Sequence, residues 1–412
     1  MGVEQPPGVE QYSRHVSAAH VAFLRRLGLD DPFFDGAGAA VTDGTGVSYI
    51  DCVGGFGITN LGHNHPAIRA ALIEQLREPT ALGRPFITRV QARLAEQLAR
   101  ISPGDLECSF LCNSGSEAVD TAIKLARLAT GRPGIVAAAN SFHGLTMGAL
   151  SASGLPGFRK PFAPLLPGIT HVAYNNGDDL EKAVTAETSA VLLELVQHEA
   201  GVTVADRDYV AGVRRLCDRR GVLLIIDEIK TGFGKTGKML ACEHFDLVPD
   251  LLVLGKAMGG GVVPVGAVVG KRSLWRKFSL SFPMSASSYG GNALACRAGL
   301  AVIDVLGAPG FLEAAQENGA RLQAGLQECV SRHPGSLQGA AGLGMLTGMT
   351  TAGAREALGL ASGLRRQGVL ALPAFGNPKA LIFEPCLTIS RIQVEAVLTA
   401  LERAILLQEQ SE

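Results

Sequence analysis

The sequence has no excess of charge of either sign. Its 412 residues include 37 Lys and Arg against 38 Asp and Glu. A near-neutral chain has no general attraction for nucleic acid or for an anionic lipid surface. We therefore expect small-molecule substrates, with no nucleic acid and no membrane among the partners.

Paired cysteine spacings and long apolar runs are also lacking. The eight cysteines are scattered through apolar surroundings, with no spacing typical of zinc or of a disulfide framework. The N-terminus has no basic start followed by an apolar stretch, and the most apolar window, residues 251–270, contains Lys256, Pro264 and several glycines. These features predict a cytoplasmic protein that does not span a membrane.

Short apolar runs of strand length do recur through the middle of the chain, separated by stretches with helical spacing. The runs occupy residues 135–139, 189–196, 222–227, 251–255 and 265–270, and the helical stretches include residues 117–130 and 206–221. Runs of this kind are typical of strands buried on both faces. Their alternation with helices predicts a mostly parallel α/β sheet.

The chain is longer than the usual limit for a single hydrophobic core. From about residue 295 the pattern changes to long helical segments, then short strand-like pieces, and a final helix near 391–408. We expect residues 56–300 to form a large α/β domain and residues 301–412 a smaller α+β C-terminal domain. Residues 1–55 are expected to contribute to the small domain.

The strongest functional signal is an acid at the end of one strand and a lysine at the end of the next. Asp227 ends VLLIID, and Lys256 follows LLVLG and precedes Met258 and three glycines. A lysine at that depth is costly unless it is neutralised, paired or used covalently, as in a Schiff base with an aldehyde. An acid nearby would keep a pyridine nitrogen protonated, which makes pyridoxal 5'-phosphate an electron sink. The pair predicts Lys256 and Asp227 as catalytic residues.

A third element is CNSGSEAVDTAIKLAR, a glycine-containing turn that leads directly into a helix. Ser114 and Glu117 have the spacing of a capping box, and the amides of Gly115 and Ser116 would point at an anion on the helix axis. The phosphate of the cofactor fits there.

Two motifs suggest other functions, and both are rejected. GFGKTG at 232–237 resembles a nucleotide-binding loop, but it follows an acid rather than the strand itself, and Met239 stands where Ser or Thr is required. His63 and His65 have a plausible metal spacing within a turn-like segment. We expect no metal site.

Together these segments resemble the class III (omega-type) aminotransferases of the PLP-dependent transferase fold type I. This is the family of ornithine, acetylornithine and putrescine aminotransferases. The resemblance extends from residues 43–66 (DGTGVSYIDCVGGFGITNLGHNHP) to residues 383–390 (FEPCLTIS).

The resemblance implies a set of cofactor contacts beyond Lys256 and Asp227. Phe142, in NSFHG, is expected to stack on the cofactor ring with His143 beside it. Glu194 is expected to lie near the ring, and Ile229 to pack against one ring face. His63 and His65 fall in a piece that the family uses as a turn.

The resemblance also implies a shared active site. Ser288 matches the family threonine that reaches the phosphate of the neighbouring subunit, so a homodimer is expected, and further pairing into tetramers is left open. Phe56, Ile58 and Phe86 are expected to border the substrate entrance.

The chain departs from the family at the position that binds an α-carboxylate. Relatives usually carry arginine in I-R-F-x-P-P-L, whereas LIFEPCL places Ile382 there, while the usual partner of the arginine survives as Glu199. Either the substrate lacks that carboxylate, or another cation replaces the arginine; the candidates are Arg84, Arg365 and Lys379.

Two further departures add polar groups. Lys230 stands where relatives have a glutamine that binds the phenolic oxygen of the cofactor, and an ammonium there would stabilise the phenolate or bind a substrate anion. His198 replaces a glycine of the QGEGG-type segment and would line the pocket, supply an acid or base, or narrow the site.

The predicted function is amino transfer between an amine or amino acid and a carbonyl acceptor, in which Lys256 moves the proton. The alternative is elimination, replacement or carbon–carbon bond formation in specialised biosynthesis, since the same carbanion serves both. A third reading, a non-catalytic cofactor-binding protein, is disfavoured because Lys256 and Asp227 are both present.

Overall fold

A computed structural model of the chain describes residues 8–30, 35–78, 86–280 and 286–410. These residues form strands and helices that alternate through the middle of the chain. The strands are β1 (Asp35–Ala37), β2 (Ala40–Thr42), β3 (Ser48–Asp51), β4 (Leu106–Cys112), β5 (Gly134–Ala138), β6 (Ile169–Val172), β7 (Thr188–Glu194), β8 (Val196–Gln197), β9 (Thr203–Val204), β10 (Leu223–Asp227), β11 (Leu251–Leu254), β12 (Gly266–Lys271), β13 (Leu337–Leu343), β14 (Leu346–Thr351), β15 (Val369–Leu370), β16 (Leu372–Pro373) and β17 (Ala380–Phe383). The helices are α1 (Val9–His15), α2 (Ala18–Leu27), α3 (Pro66–Gln75), α4 (Arg89–Ile101), α5 (Gly115–Thr130), α6 (Met147–Ala152), α7 (Pro156–Arg159), α8 (Gly177–Ala183), α9 (Arg207–Arg220), α10 (Arg272–Leu280), α11 (Ala293–Leu306), α12 (Phe311–Arg332), α13 (Ala354–Arg366) and α14 (Arg391–Glu409).

The large sheet has seven strands in the order β4-β12-β11-β10-β7-β5-β6. The pairs from β11 through β6 are parallel, whereas β12 runs antiparallel to both β11 and β4. This confirms the α/β class and the mostly parallel sheet. All five predicted apolar runs are strands of this sheet.

Helices cover both faces of the large sheet, as its fully buried strands require. On one face α5 packs against β7, β10, β11 and β12, with Ala118, Ala122 and Leu125 fully buried. On the other face α4 contacts β4 and α9 contacts β10. This packing fixes the N-terminus of α5 beside the carboxyl ends of the parallel strands, which is where open α/β sheets bind ligands.

The C-terminal part has its own four-stranded antiparallel sheet, ordered β13-β14-β17-β16, with α12, α13 and α14 packed nearby. A further small sheet pairs β3 with β15, so residues near the start of the chain share a sheet with residues near its end. The division at residues 55 and 300 stays a prediction.

Two findings concern sites and membranes. Within the described ranges, no group of three or more His, Cys, Asp or Glu side chains could hold a metal ion. No single described helix has the length and apolarity to cross a membrane, although α11 and α12 together, bent by 75°, meet the criterion of length and composition.

Candidate active site

Two carboxylates lie side by side where the central parallel strands end. Asp227 ends β10 and pairs in register with Glu194, the last residue of β7. Oδ2 of Asp227 accepts a hydrogen bond from Nδ1 of His143 at 2.7 Å, and Oδ1 accepts from the amide of Ile229 at 2.9 Å. The carboxylate is therefore fixed in one orientation by the side chain of a neighbouring loop and by its own turn.

Lys256 follows the neighbouring strand, β11, through Gly255 and opens a short 3-10 turn. Its φ of 45° is in the left-handed region, which costs a non-glycine residue about 1 to 3 kcal/mol. Strain of this kind persists only where the surroundings enforce it, and it is concentrated at functional sites. The backbone thus holds Lys256 toward the strand ends at a cost in stability.

The N-terminus of α5 faces the same place. Oγ of Ser114 accepts from the amide of Glu117 at 3.2 Å, which caps the helix. The other half of the predicted capping box is different, because the Glu117 carboxylate accepts from the amide of Asn113 rather than from Ser114. The first amides of a helix have no partner within it, so those of Gly115 and Ser116 are available to an anion.

These elements enclose a cavity of about 160 Å³. It brings together nine of the ten residues predicted to contact the cofactor. They are Gly115, Ser116, Phe142, His143, Glu194, Asp227, Ile229, Lys230 and Lys256. A larger cavity of about 370 Å³ shares Gly115 and Lys256 with the first and is also lined by Ile58.

A chain of four ionisable side chains extends from this cavity into the protein. Nζ of Lys230 lies 2.5 Å from Oε2 of Glu384, whose other oxygen lies 3.3 Å from Nε2 of His198. Nδ1 of His198 contacts Oε1 of Glu199 at 3.1 Å, and the second oxygen of Glu199 accepts from the amide of Phe375 at 3.0 Å. The four side chains are at most 11% exposed.

The family model for class III aminotransferases matches residues 33–405, which is most of the chain. This chain is a class III aminotransferase. The match agrees with the family inferred from the motifs.

Solved structures of aminotransferases superpose on nearly the whole enzyme. The ornithine aminotransferase of Toxoplasma gondii ME49 has a TM-score of 0.87 at 27% identity, covering 99% of this chain and all of that one. An amine transaminase from an uncultivated Pseudomonas species in the PLP-bound form has a TM-score of 0.84 at 29% identity, covering 90% and 93%. N-acetylornithine aminotransferase from Stenotrophomonas maltophilia K279a has a TM-score of 0.79 at 30% identity, covering 92% and 96%. The chain therefore has PLP-dependent fold type I and catalyses PLP-dependent amino transfer.

The residues present fit pyridoxal phosphate. Nε2 of His143 is buried and has no hydrogen-bond partner among the residues that the structure describes, while its Nδ1 is held by Asp227. A Cβ on Gly115 would lie 2.8 Å from Cδ1 of Ile229, so the wall of the cavity requires a glycine there. Lys256 would bind the aldehyde carbon, Asp227 the ring nitrogen, and the amides at the start of α5 the phosphate. The aminotransferase thus has a partner for each end of the cofactor.

The pKa values of Glu194 and His143 are both raised, for different reasons. Burial raises the pKa of Glu194 to about 8, although His143 acts in the opposite direction. Burial is the largest effect on His143 and opposes its protonation, but the hydrogen bond to Asp227 and the charges of Asp227 and Glu194 together outweigh it and raise the pKa of this imidazole. Glu194 also accepts from the amide of Phe142 at 3.0 Å, which orients the loop that carries the ring-stacking candidate.

The remaining predicted residues lie outside the smaller cavity. Ser288 is exposed and is not among the residues that line either cavity of its own chain. Phe56 and Ile58 are 42% and 40% exposed, and Phe86 is 60% exposed. Phe56 contributes to a rim, since its ring lies 5.7 Å from that of Phe375.

Two of the three candidate replacements for the family arginine lie within the described residues, Arg365 and Lys379. The guanidinium of Arg365 lies over the ring of Tyr49, 5.6 Å from its centroid. Lys379 is exposed, immediately before β17. Arg84 lies outside the described residues.

Sequence reasoning missed Glu384, Lys235 and Phe375. Glu384 stands in the quoted LIFEPCL, and its glutamate beside an apolar strand was an available signal for a buried ion pair. Lys235 belongs to the rejected GFGKTG motif. It is fully buried and its Nζ donates to the carbonyl oxygens of Glu384 and Pro385 at 3.2 and 3.0 Å, which gives this lysine a role in holding the Glu384 segment.

Proposed function

We propose that the amino donor of this aminotransferase presents no carboxylate to the wall that Ile382 forms. Ile382 is 4% exposed in β17 and belongs to an apolar cluster with Val196, Val202 and Leu346. An aliphatic side chain in such a cluster offers no hydrogen-bond donor to an anion, and burial of an unpaired carboxylate against it is costly. The identity of residue 382 is the observation that carries the proposal.

The neighbouring charges support the same conclusion. Lys230 is paired with Glu384, and Glu199 accepts from His198 and from the amide of Phe375. The lysine of this network, Lys230, is thus already neutralised by a carboxylate, and Glu199 adds a negative charge that would repel a substrate carboxylate. The rim itself is apolar, since Phe56 and Phe375 are both exposed there.

The residues of the chain have separate tasks in the reaction. Bound PLP supplies an electron sink for the electrons of the substrate carbon. Asp227, held by His143 and Ile229, would keep the ring nitrogen of this cofactor protonated. The amine of Lys256, which lines the same cavity, would take the proton from the substrate carbon as general base and return it as general acid.

Matched donors test the proposal. 1-Phenylethylamine and phenylglycine differ in having a methyl or a carboxylate on the reacting carbon. On anaerobic addition to the PLP-loaded enzyme, we expect the amine to discharge the visible cofactor band at least about tenfold faster. A faster reaction with phenylglycine contradicts the proposed donor class, and turnover that leaves the band intact would favour elimination or replacement chemistry.

The variant Ile382→Arg should reverse the preference. The new guanidinium can pair with Glu199 and bind a carboxylate in two hydrogen bonds, so the rate with phenylglycine should rise by about tenfold or more relative to the amine. Ile382→Leu is the matched control and should keep the preference of the parent enzyme. The unfolding temperature of each variant, measured with PLP bound, separates loss of fold from change of preference.

We also propose that the active unit is a homodimer in the cytoplasm. The segment that carries Ser288 is joined to the site, because Nδ2 of Asn113 donates to Oγ of Ser287 at 3.0 Å. Large apolar side chains near the two cavities are exposed on one chain, among them Val262 at 54% and Tyr289 at 69%.

The cysteines support the proposed location. All eight are unpaired, which suits a reducing compartment such as the cytoplasm. Cell fractionation with an antibody to the enzyme tests this location.

A further inference from the structure

Lys230 is a second lysine at the wall of the cofactor cavity. It lies in the turn after β10 and lines the same cavity as Lys256. Its side chain is only 6% exposed. An ammonium in such a place must be paired, because desolvation of an unpaired charge costs several kcal/mol. The arrangement therefore depends on what neutralises Lys230.

Glu384 is the carboxylate that does so within the described ranges. Its Oε2 lies 2.5 Å from Nζ of Lys230, and its Oε1 lies 3.3 Å from Nε2 of His198. Its main chain is fixed as well, since Lys235 donates to the carbonyl oxygen of Glu384. The carboxylate is thus held from three directions, and its position in turn determines where the ammonium lies.

The backbone closes over this pair. Gly57 has a φ of 87°, and a Cβ there would lie 3.0 Å from Cδ and 3.3 Å from Nζ of Lys230. The same Cβ would lie 3.5 Å from Oε2 of Glu384. The backbone at Gly57 therefore packs against the pair, and any side chain at this position would displace Lys230.

We propose that Glu384 is a positioning residue: it holds Lys230 as a charged ammonium at the cavity wall, where the charge disfavours protonation of the nitrogen through which Lys256 binds the cofactor. The charged groups that face Lys230 are Glu384, Lys256 and Lys235, with His198 and Glu199 beyond Glu384. This inference concerns the cofactor and is independent of the donor class proposed above.

The ionisation of the pair supports this assignment. Burial lowers the pKa of Lys230 to about 7, and Glu384 is the main group that opposes the drop. Burial also opposes ionisation of Glu384, but Lys230 and His198 outweigh it and lower the pKa of this carboxyl. Without Glu384, burial and the charge of Lys256 would be unopposed, so the pKa of Lys230 and its charged fraction would fall further.

The test is a pH titration of the visible absorption band of the PLP-loaded enzyme, which requires no turnover. Lys230→Gln removes the ammonium, so the midpoint should move upward by about one pH unit or more. Glu384→Gln lowers the charged fraction of Lys230, so it should move the midpoint in the same direction. Lys230→Gln/Glu384→Gln should match Lys230→Gln alone, because both changes act through one charge. Lys182→Gln, at an exposed position of α8, is the control for a general loss of positive charge and should leave the midpoint unchanged.

The direction of the shift decides between two roles for Glu384. If its own negative charge acted on the cofactor, Glu384→Gln would lower the midpoint, and this result would overturn the proposal. An unchanged midpoint in Lys230→Gln would overturn it as well, since Lys230 would then have no influence on Lys256. If Glu384→Gln does not fold, Lys230→Gln and the double variant, which has a neutral pair of similar shape, still give these two outcomes.

Discussion

At the scale of single residues, Asp227 and Glu194 show how two neighbouring acids are given different chemistry. Asp227 is held by His143 and by the amide of Ile229. Glu194 accepts from the amide of Phe142, and burial raises its pKa to about 8 although the charges of His143 and Lys256 act in the opposite direction. Asp227 is therefore the acid that we propose to face the ring nitrogen, whereas Glu194 keeps its proton to a higher pH than an ordinary glutamate.

Glu194 should make the stability of the PLP-free enzyme depend on pH. Its folded-state pKa is above the usual value of 4.5, so its contribution is fully present below pH 4.5 and is lost as the pH rises toward 8. Glu194→Gln removes this pH-dependent contribution to stability, and the amide oxygen of the new glutamine can still accept from the amide of Phe142. The unfolding temperature of the variant relative to the parent should increase between pH 5 and pH 8. Glu187→Gln, at an exposed position before β7, should show no such trend.

At the scale of elements, the turn around Gly57 joins the N-terminal strands to the active site. Gly54 opens this turn, and the amide of Glu384 donates to the carbonyl oxygen of Cys52 just before it. The turn thus contacts both the Lys230 side chain and the segment after β17. Its glycines are required because the backbone has positive φ and approaches buried side chains closely.

A pair of glycine variants separates backbone strain from this contact. Gly57 and Gly46 have the same φ of 87°, but a Cβ on Gly46 would meet nothing within 4 Å. Gly57→Ala and Gly46→Ala should each destabilise the enzyme by about 1 to 2 kcal/mol because of the left-handed conformation. In addition, Gly57→Ala should shift the midpoint of the visible cofactor band, since it displaces Lys230. Equal midpoints in the two variants, measured by the same pH titration, would show that the contact between Gly57 and Lys230 has no influence on the cofactor band.

At the scale of the whole molecule, one chain leaves an apolar surface beside its active site. Val262 lines the larger cavity and is 54% exposed. Leu145, two residues after His143, and Tyr289, directly after Ser288, are exposed as well. A second copy of the chain would cover such side chains and bring its Ser288 segment to the site. This is the structural support for the proposed dimer.

Ser288→Ala should therefore weaken cofactor binding without dissociating the dimer. We expect light scattering after gel filtration to give the dimer mass for the parent and the variant, and the Kd for PLP to rise by about tenfold in the variant because one hydrogen bond to a charged phosphate is lost. Ser331→Ala, at an exposed position near the end of α12, is the control and should leave the Kd unchanged. A monomeric parent enzyme with full PLP affinity would contradict the shared site.

The sequence by itself determined the chemistry of the cofactor end of the site. Asp227 and Lys256 end consecutive apolar runs, and parallel strands bring their carboxyl ends to one edge, so the proximity of these residues follows from the order of elements. The cap of α5 is likewise local, since Ser114 and Glu117 are three residues apart. The antiparallel direction of β12 was not predictable, because an apolar run has the same appearance in either direction.

Only the tertiary structure decided the role of Lys230. Its partner Glu384 follows β17, which belongs to the four-stranded antiparallel sheet of the C-terminal part. The contact between Lys230 and Glu384 therefore depends on how that sheet packs against the turn around Gly57. His198 and Glu199 join the same network from the loop after β8. Pairings between residues so distant in the chain depend on packing rather than on local pattern. For this reason the sequence identified Lys230 as unusual, and the fold showed that Glu384 is its partner.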